Sequence, residues 1–342
     1  MNDRYRISSV RRLLAVTSAA VALVVCAGSA YAGQPNNSVA AVIKDLDNPF
    51  FGAMGQGLQA EAKATGTRIT VQAVQNISDS VGQENKLQSL AGQSYGCYIV
   101  DPISQTNLVQ PLVAVSLSHR PIINIDNPIS SKAAKAANLN IGTYIGTDNI
   151  SAGKMAAGAM AKRVPKGAEV AMIGGIPGGV TSQQRLQGFR DGANTAKLKI
   201  VQTVSANWQR ERALTAATDI LHAHPNLKGF FVANDDMALG VVRAVANAGL
   251  SGKIAVVSID GIKAALKSIK QGGLSATVSQ YPYSMGAMGV QACLDALAGK
   301  SIPHKVKAPV LLVTRRNVST ALAHFPKPFK PYSDPFVGHA SN

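Results

Sequence analysis

The residues best suited to chemistry in this chain are polar side chains that directly follow short apolar runs. Asn48 follows the run 39–43 across a polar turn, and Asp126 and Asn127 follow the run 122–125. Asn234 comes just after 230–233, and Asp260 just after 254–259. A carboxylate accepts paired hydroxyl hydrogen bonds, and a primary amide both donates and accepts. Phe50 and Phe51 come immediately after Asn48 and Pro49. A flat ring can cover an apolar C–H face while an amide bonds hydroxyls, a combination suited to a sugar. Taken singly, each polar residue reads equally well as a helix N-cap: Asn48 stands before Pro49, Asn234 before Asp235 and Asp260 before Gly261. Their joint placement favours a ligand-contacting set, because open α/β sheets bind ligands at the carboxyl ends of their strands.

Other chemistries find no support. Gly174-Gly175-Ile176-Pro177-Gly178-Gly179 follows an apolar run, but its spacing is not G-x-G-x-x-G and no acidic residue ends the next run. There is no G-x-S-x-G, no phosphate-binding lysine loop and no metal triad; His222 and His224, two apart, do not share a helix face. The reading is therefore a protein without catalytic residues, cofactor or metal. The formal charge is +16. The lysines are spread at helical spacing, as in Lys263, Lys267 and Lys270, without interleaved aromatics, which describes a solvated face and no nucleic-acid groove. Such a charge would attract the chain to an anionic membrane surface or to acidic patches on a membrane partner. Of the three cysteines, Cys26 lies near the N-terminus; Cys97 and Cys293 permit one disulfide. With no redox or metal spacing between them, two separate buried thiols are expected.

The elements that must position these residues follow from periodicity. Apolar runs at 39–43, 69–74, 98–100, 122–125, 144–146, 170–173, 200–204, 230–233, 254–259, 277–279 and 310–313 alternate with helical patterns. The helical patterns cover 49–65, 80–93, 150–163, 182–196, 210–222, 236–248, 262–270 and 284–297. This alternation predicts an α/β fold with parallel sheets covered on both faces, and 342 residues allow two such domains. Upstream, Arg4, Arg6, Arg11 and Arg12 precede an apolar stretch at 13–27 and the small-residue site Ala30-Tyr31-Ala32. Residues 1–32 therefore read as a cleaved export signal, too short in its apolar part for a membrane span.

Residues 40–57, AAVIKDLDNPFFGAMGQG, closely resemble the first strand, loop and helix of periplasmic sugar-binding proteins of the ribose-binding type, the type I solute-binding proteins of ABC sugar importers. The resemblance continues to about residue 317, with DNPFF, INIDN (123–127), SQQRLQGF (182–189), ANDDMALG (233–240), SIDG (258–261) and ATVSQYP (276–282) in family order. It implies two doubly wound parallel-sheet lobes joined by a three-strand hinge, with 33–147 plus 281–311 forming one lobe and 148–280 plus 312–318 the other. Residues 319–342, rich in proline, are left as an extended tail. It also implies that Lys44, Asn48, Phe50, Phe51, Asp126 and Asn127 line one wall of an interlobe cleft. Arg185, Trp208, Asn234, Asp260 and Gln280 would line the opposite wall and the hinge, with Arg185 supplied by an R-x-x-G-F stretch and Trp208 stacking opposite Phe50 or Phe51.

Three positions depart from the ribose-binding pattern: Lys44 replaces a small hydroxyl residue, Asn127 an arginine and Ile259 an aromatic. Lys44 and Arg185 then face Asp126 and Asp260, a balanced set that suits a neutral polar ligand other than ribose. A lysine at this position resembles binders of allose-like and fructose-like sugars. The expected function is capture of a neutral monosaccharide or polyol in the periplasm by hinge closure, followed by delivery to an ABC permease in the inner membrane. The chain is expected to be a monomer, with a chemoreceptor or sensor as a second partner. A LacI-like regulator of the same fold would need an N-terminal DNA-binding helix pair where this chain carries the export signal.

Overall fold

The computed structural model of the chain describes residues 36–336. The expected export signal at 1–32, Cys26 and residues 337–342 lie outside them. The first strands and helices are β1 (Val39–Ile43), α1 (Pro49–Ala64), β2 (Ile69–Ala73), α2 (Ser80–Ala91), β3 (Cys97–Val100), α3 (Val109–Leu117), β4 (Ile122–Ile125), α4 (Ser131–Ala136) and β5 (Thr143–Gly146). Next come α5 (Asn149–Ala161), β6 (Glu169–Gly174), α6 (Val180–Thr195), β7 (Lys199–Ser205), α7 (Arg210–Ala223), β8 (Gly229–Val232), α8 (Asp235–Asn247), β9 (Ala255–Asp260), α9 (Lys263–Gln271) and β10 (Ala276–Gln280). The chain finishes with α10 (Pro282–Leu297), β11 (Lys305–Lys307), β12 (Val310–Thr314) and α11 (Val318–His324).

These elements build two α/β lobes, each around its own sheet. The strand orders are β11-β5-β4-β3-β1-β2 and β12-β10-β9-β8-β6-β7. All pairings are parallel except β10 with β12. Central strands β1, β3, β4, β8 and β9 are buried along their whole length, as mostly apolar strands must be when helices cover both faces; Asn124, Ser258 and Asp260 are the polar residues buried with them. The chain passes between the sheets three times, after β5, after β10 and between β11 and β12. Thr147 Oγ1 donates to Gln280 Oε1 at 2.6 Å, tying the first two passages together. Lys307 Nζ pairs with Asp148 at 3.0 Å, tying the third to the first.

In the first lobe, α10 lies on α1 with almost no space between the backbones. A side chain at Gly57 would overlap Tyr283, and one at Gly286 would overlap Met54, so the close crossing needs glycine on both helices.

Two expectations are corrected. Cys97 on β3 and Cys293 on α10 are bonded to each other rather than being separate thiols, with Cα atoms 5.7 Å apart. The geometry suits a disulfide because α10 packs directly across β3. The tail is not a free extension either. After α11, which packs on α9 in the second lobe, Phe325, Phe329 and Tyr332 lie against the core. Phe336 is only 2 % exposed. Lys263 Nζ sits 5.9 Å from the Phe325 ring, and Lys327 Nζ sits 5.5 Å from the ring of Tyr283 on α10. The segment thus reaches from helix α9 of one lobe to helix α10 of the other. Replacing Phe336 with alanine should lower the unfolding free energy by about 3 kcal/mol, read by urea denaturation. A variant as stable as wild type would show that this segment contributes no core packing.

Candidate ligand-binding site

The loops at the carboxyl ends of both sheets enclose a cavity of about 810 Å³, within the roughly 300–1,000 Å³ typical of small-molecule sites. Lys44, Asn48, Phe50, Phe51, Asp126 and Asn127 line it from the first lobe; Arg185, Trp208, Asn234 and Asp260 line it from the second.

On the first wall the chain leaves β1 at Lys44. Its ammonium lies 3.0 Å from Asp101 Oδ1, 3.1 Å from Asp126 Oδ2 and 4.9 Å from the centre of the Phe51 ring. Burial alone would lower the Lys44 pKa, but the two carboxylates raise it above the ordinary lysine value, so the cation persists. Asp126 sits at φ 56°, a strained left-handed position for a non-glycine residue. Tyr144 holds it there by donating its hydroxyl to the Asp126 carbonyl at 2.6 Å. The Asn48 side-chain oxygen accepts from Phe50 N–H at 3.0 Å and caps α1. The cap and ligand readings are therefore compatible: capping consumes the oxygen and leaves the NH2 group to the cavity. Phe50 and Phe51 meet edge to face at 5.1 Å.

Asn127 lines the cavity, but its amide is already engaged. The NH2 donates to the Pro102 and Ile103 carbonyls at 2.9 and 3.3 Å, and the oxygen accepts from Thr181 Oγ1 at 3.2 Å. It bridges the two lobes instead of presenting a vacant amide.

On the second wall Arg185 lies on α6 and is 4 % exposed. Its Nε donates to Asn149 Oδ1 at 2.9 Å, and its Nη1 donates to the Ala233 carbonyl at 2.8 Å and to Asp260 Oδ1 at 3.1 Å. Gln280 donates to the same Asp260 oxygen at 2.7 Å. With its other end accepting from Thr147, Gln280 stands behind the wall rather than on it, a correction to its expected place. Asp260 Oδ2 has no hydrogen-bond partner among the described residues. Burial raises its pKa to about 8 against the pull of Arg185.

Asp235, behind it, receives Ser258, Thr277 and the N–H groups of Gly261 and Ile262, which fixes the turn that holds Asp260 at φ 139°. Asn234 repeats the arrangement of Asn48: its oxygen caps α8 by accepting from Met237 N–H at 3.0 Å. Trp208, at φ 64°, places its ring 5.9 Å from the Arg185 guanidinium. The ring lies against Gly175, where any Cβ would overlap the indole. Gly175 thus makes room for an aromatic wall.

Asp101, Asn149 and Thr181 were missed in the sequence reading, and Asp101 alters the charge count. The first wall holds one cation and two carboxylates, so Lys44 and Arg185 face three carboxylates and not two. Asp101 directly follows β3 and obeys the same strand-end rule as Asp126. Among the described residues no group of three or more His, Cys, Asp or Glu could hold a metal, and no helix is long and apolar enough to cross a membrane.

Residues 39–301 match the family model described as a periplasmic binding protein domain. The D-allose-binding periplasmic protein of Escherichia coli is 36 % identical over 77 % of this chain and 86 % of its own length. The ribose import binding protein of Bacillus subtilis is 33 % identical over 80 % of this chain and 86 % of its own. A periplasmic solute-binding protein of an ABC transporter from Actinobacillus succinogenes, solved with bound D-allose, superposes with a TM-score of 0.78 at 32 % identity, covering 83 % of this chain and 99 % of that one. The chain belongs to the periplasmic binding protein family and is a non-enzymatic solute-binding protein.

The fit of Trp208 against Gly175 gives a direct test. Gly175→Ala should displace the chain's single tryptophan, shifting its emission and near-ultraviolet circular dichroism while far-ultraviolet dichroism stays constant. Unchanged spectra would place the indole elsewhere.

Proposed function

We propose that this protein captures a neutral aldohexose of the D-allose type in the interlobe cleft and delivers it to an ABC importer in the inner membrane. The observation that carries this reading is the pair of walls, each with a cation fixed on a strand-end carboxylate and an aromatic ring beside it: Lys44, Asp126 and Phe51 opposite Arg185, Asp260 and Trp208. Each wall can both donate to and accept from a hydroxyl. Lys44, Arg185 and the NH2 groups of Asn48 and Asn234 donate, and Asp126 Oδ1 and Asp260 Oδ2 accept. The rings cover the C–H faces. A uronate or phosphorylated sugar would bring an anion to a site whose two cations are already paired with their own carboxylates. The relatives named for D-allose, together with the lysine at 44, support allose over ribose.

Binding proceeds by hinge closure. A sugar touching both walls stabilises the closed arrangement of lobes joined by three passages. The family, the Cys97–Cys293 bond and the N-terminal signal pattern together support work in an oxidising periplasm.

Calorimetry with D-allose, D-ribose and D-fructose tests the reading. D-allose should bind with a sub-micromolar dissociation constant, roughly −8 to −9 kcal/mol, and D-ribose at least about tenfold more weakly. Absence of heat with D-allose would falsify the ligand assignment. Asp126→Ala and Asp260→Ala should each weaken D-allose binding by about 2 kcal/mol or more, since each removes a hydroxyl acceptor and takes a carboxylate partner from a buried cation. Binding should also change Trp208 emission, a signal absent from Trp208→Ala.

A further inference from the structure

Asp101 stands at the end of β3, directly behind Lys44, and is 0 % exposed. It does not line the cavity. Its Oδ1 accepts from Lys44 Nζ at 3.0 Å and, at 3.4 Å, from Asn127 N–H. Its Oδ2 is buried without a hydrogen-bond partner among the described residues. A carboxylate oxygen buried without a donor is costly when charged and much less so when neutral.

The groups facing Asp101 are few. Beyond β1 is Lys44; beyond β4 are Asp126 and the Asn127 N–H. Tyr144 on β5 binds the Asp126 carbonyl. From α2, the neutral Gln83 takes the Asp101 main-chain carbonyl at 2.9 Å. Arg185 and Asp260 belong to the opposite wall and pair with each other. Lys44 is thus the single described cation shared by two carboxylates on this wall.

We propose that Asp101 is a positioning residue of the binding site that acts as a neutral acid. Protonated, it anchors Lys44 beside Asp126 and the Phe51 ring and leaves one cation to one carboxylate on this wall. Ionised, it competes with Asp126 for Lys44 and weakens capture. The ammonium has three N–H donors. Asp101 and Asp126 take two, which fixes the direction of the third. Burial pushes the Asp101 carboxyl up to about 8 against the pull of Lys44, and Asp126 adds to the rise. The inference rests on the reading that the ligand is a neutral sugar. Closing over such a ligand removes water and brings no charge, so the liganded protein holds the Asp101 proton more tightly than the free one. Affinity is then full below the free-state value of about 8 and falls as pH rises through it, with the proton exchanged to solvent.

Two measurements test this. The first is D-allose calorimetry from neutral to mildly alkaline pH in buffers of different ionisation enthalpy. Wild type should take up a proton on binding in the alkaline range and lose affinity at a rate approaching tenfold per pH unit. Asp101→Asn, a neutral isostere, should bind within about threefold of wild type at neutral pH and decline less with pH. Asp101→Ala, which leaves Lys44 unanchored, should bind about tenfold more weakly already at neutral pH. Asp260, also raised by burial, is present in every variant and cancels in the comparison. The second measurement is an infrared difference spectrum of ligand-free wild type against Asp101→Asn at neutral pH, in which wild type should show an extra protonated-carboxyl band. An Asp101→Asn variant that declines as steeply as wild type, or a difference spectrum without that band, overturns the proposal. If D-allose gives no heat, the sugar assignment fails and the infrared result still decides the protonation of Asp101.

Discussion

Buried charge must be neutralised close by, and in this cleft the neutralisation is local to each wall. Lys44 is paired with Asp101 and Asp126 in the first lobe, and Arg185 with Asp260 in the second. None of these ion pairs crosses the cavity. The lobes can therefore separate without leaving a desolvated charge unpaired, which would cost several kcal/mol and lock the cleft shut. What joins the walls at the mouth is weaker and neutral, the Thr181–Asn127 hydrogen bond at 3.2 Å. The arrangement keeps both walls organised before any ligand arrives and leaves the ligand's own hydroxyls to supply most of the bridging energy.

Holding the walls in this form requires backbone conformations that most residues avoid. Asp126, Asn207, Trp208 and Asp260 all lie at positive φ, and all four line the cavity. Strain of this kind persists only where the surroundings over-determine it. For Asp126 the constraint is the Tyr144 hydroxyl, for Asp260 the turn gripped by Asp235, and for Trp208 the bare surface of Gly175. The C-terminal segment adds a further support. Phe325 and Pro326 border a small void that Phe50 and Asp260 also touch, so the back of the binding site is closed by residues from the end of the chain.

Much of this was legible in the residues. The runs at 39–43 and 122–125 became β1 and β4 with the same bounds, and Pro49 does begin α1 with Asn48 as its cap. The α/β class with parallel sheets followed from the alternation of elements, and the division into two lobes from the family resemblance. The helices α3 and α4 escaped notice for physical reasons. The first is almost entirely apolar and has no side-chain cap, so it carries no amphipathic signal, and the second is only 6 residues long. Asp101 was legible in principle, since it follows a strand as Asp126 does, but the run before it, 98–100, is short and no family motif marked it. Gln280 illustrates the opposite error: its position beside the site was inferred, while only coordinates reveal that Asp260 and Thr147 occupy both ends of its amide. The pairing of Cys97 with Cys293 had no local signature, because the two residues meet only when α10 returns to cover β3.

That return has a topological consequence. The bond joins residues 196 positions apart, and both lie in the first lobe, yet β6 to β10 of the second lobe all fall between them. Most of the second lobe is therefore an excursion within a covalent ring whose clasp belongs to its neighbour. A single proteolytic nick in any loop of that excursion leaves both fragments attached, so the cleaved protein comes apart into two fragments only after reduction. The clasp cannot close until the chain has been made past Cys293, when five strands of the second sheet already exist.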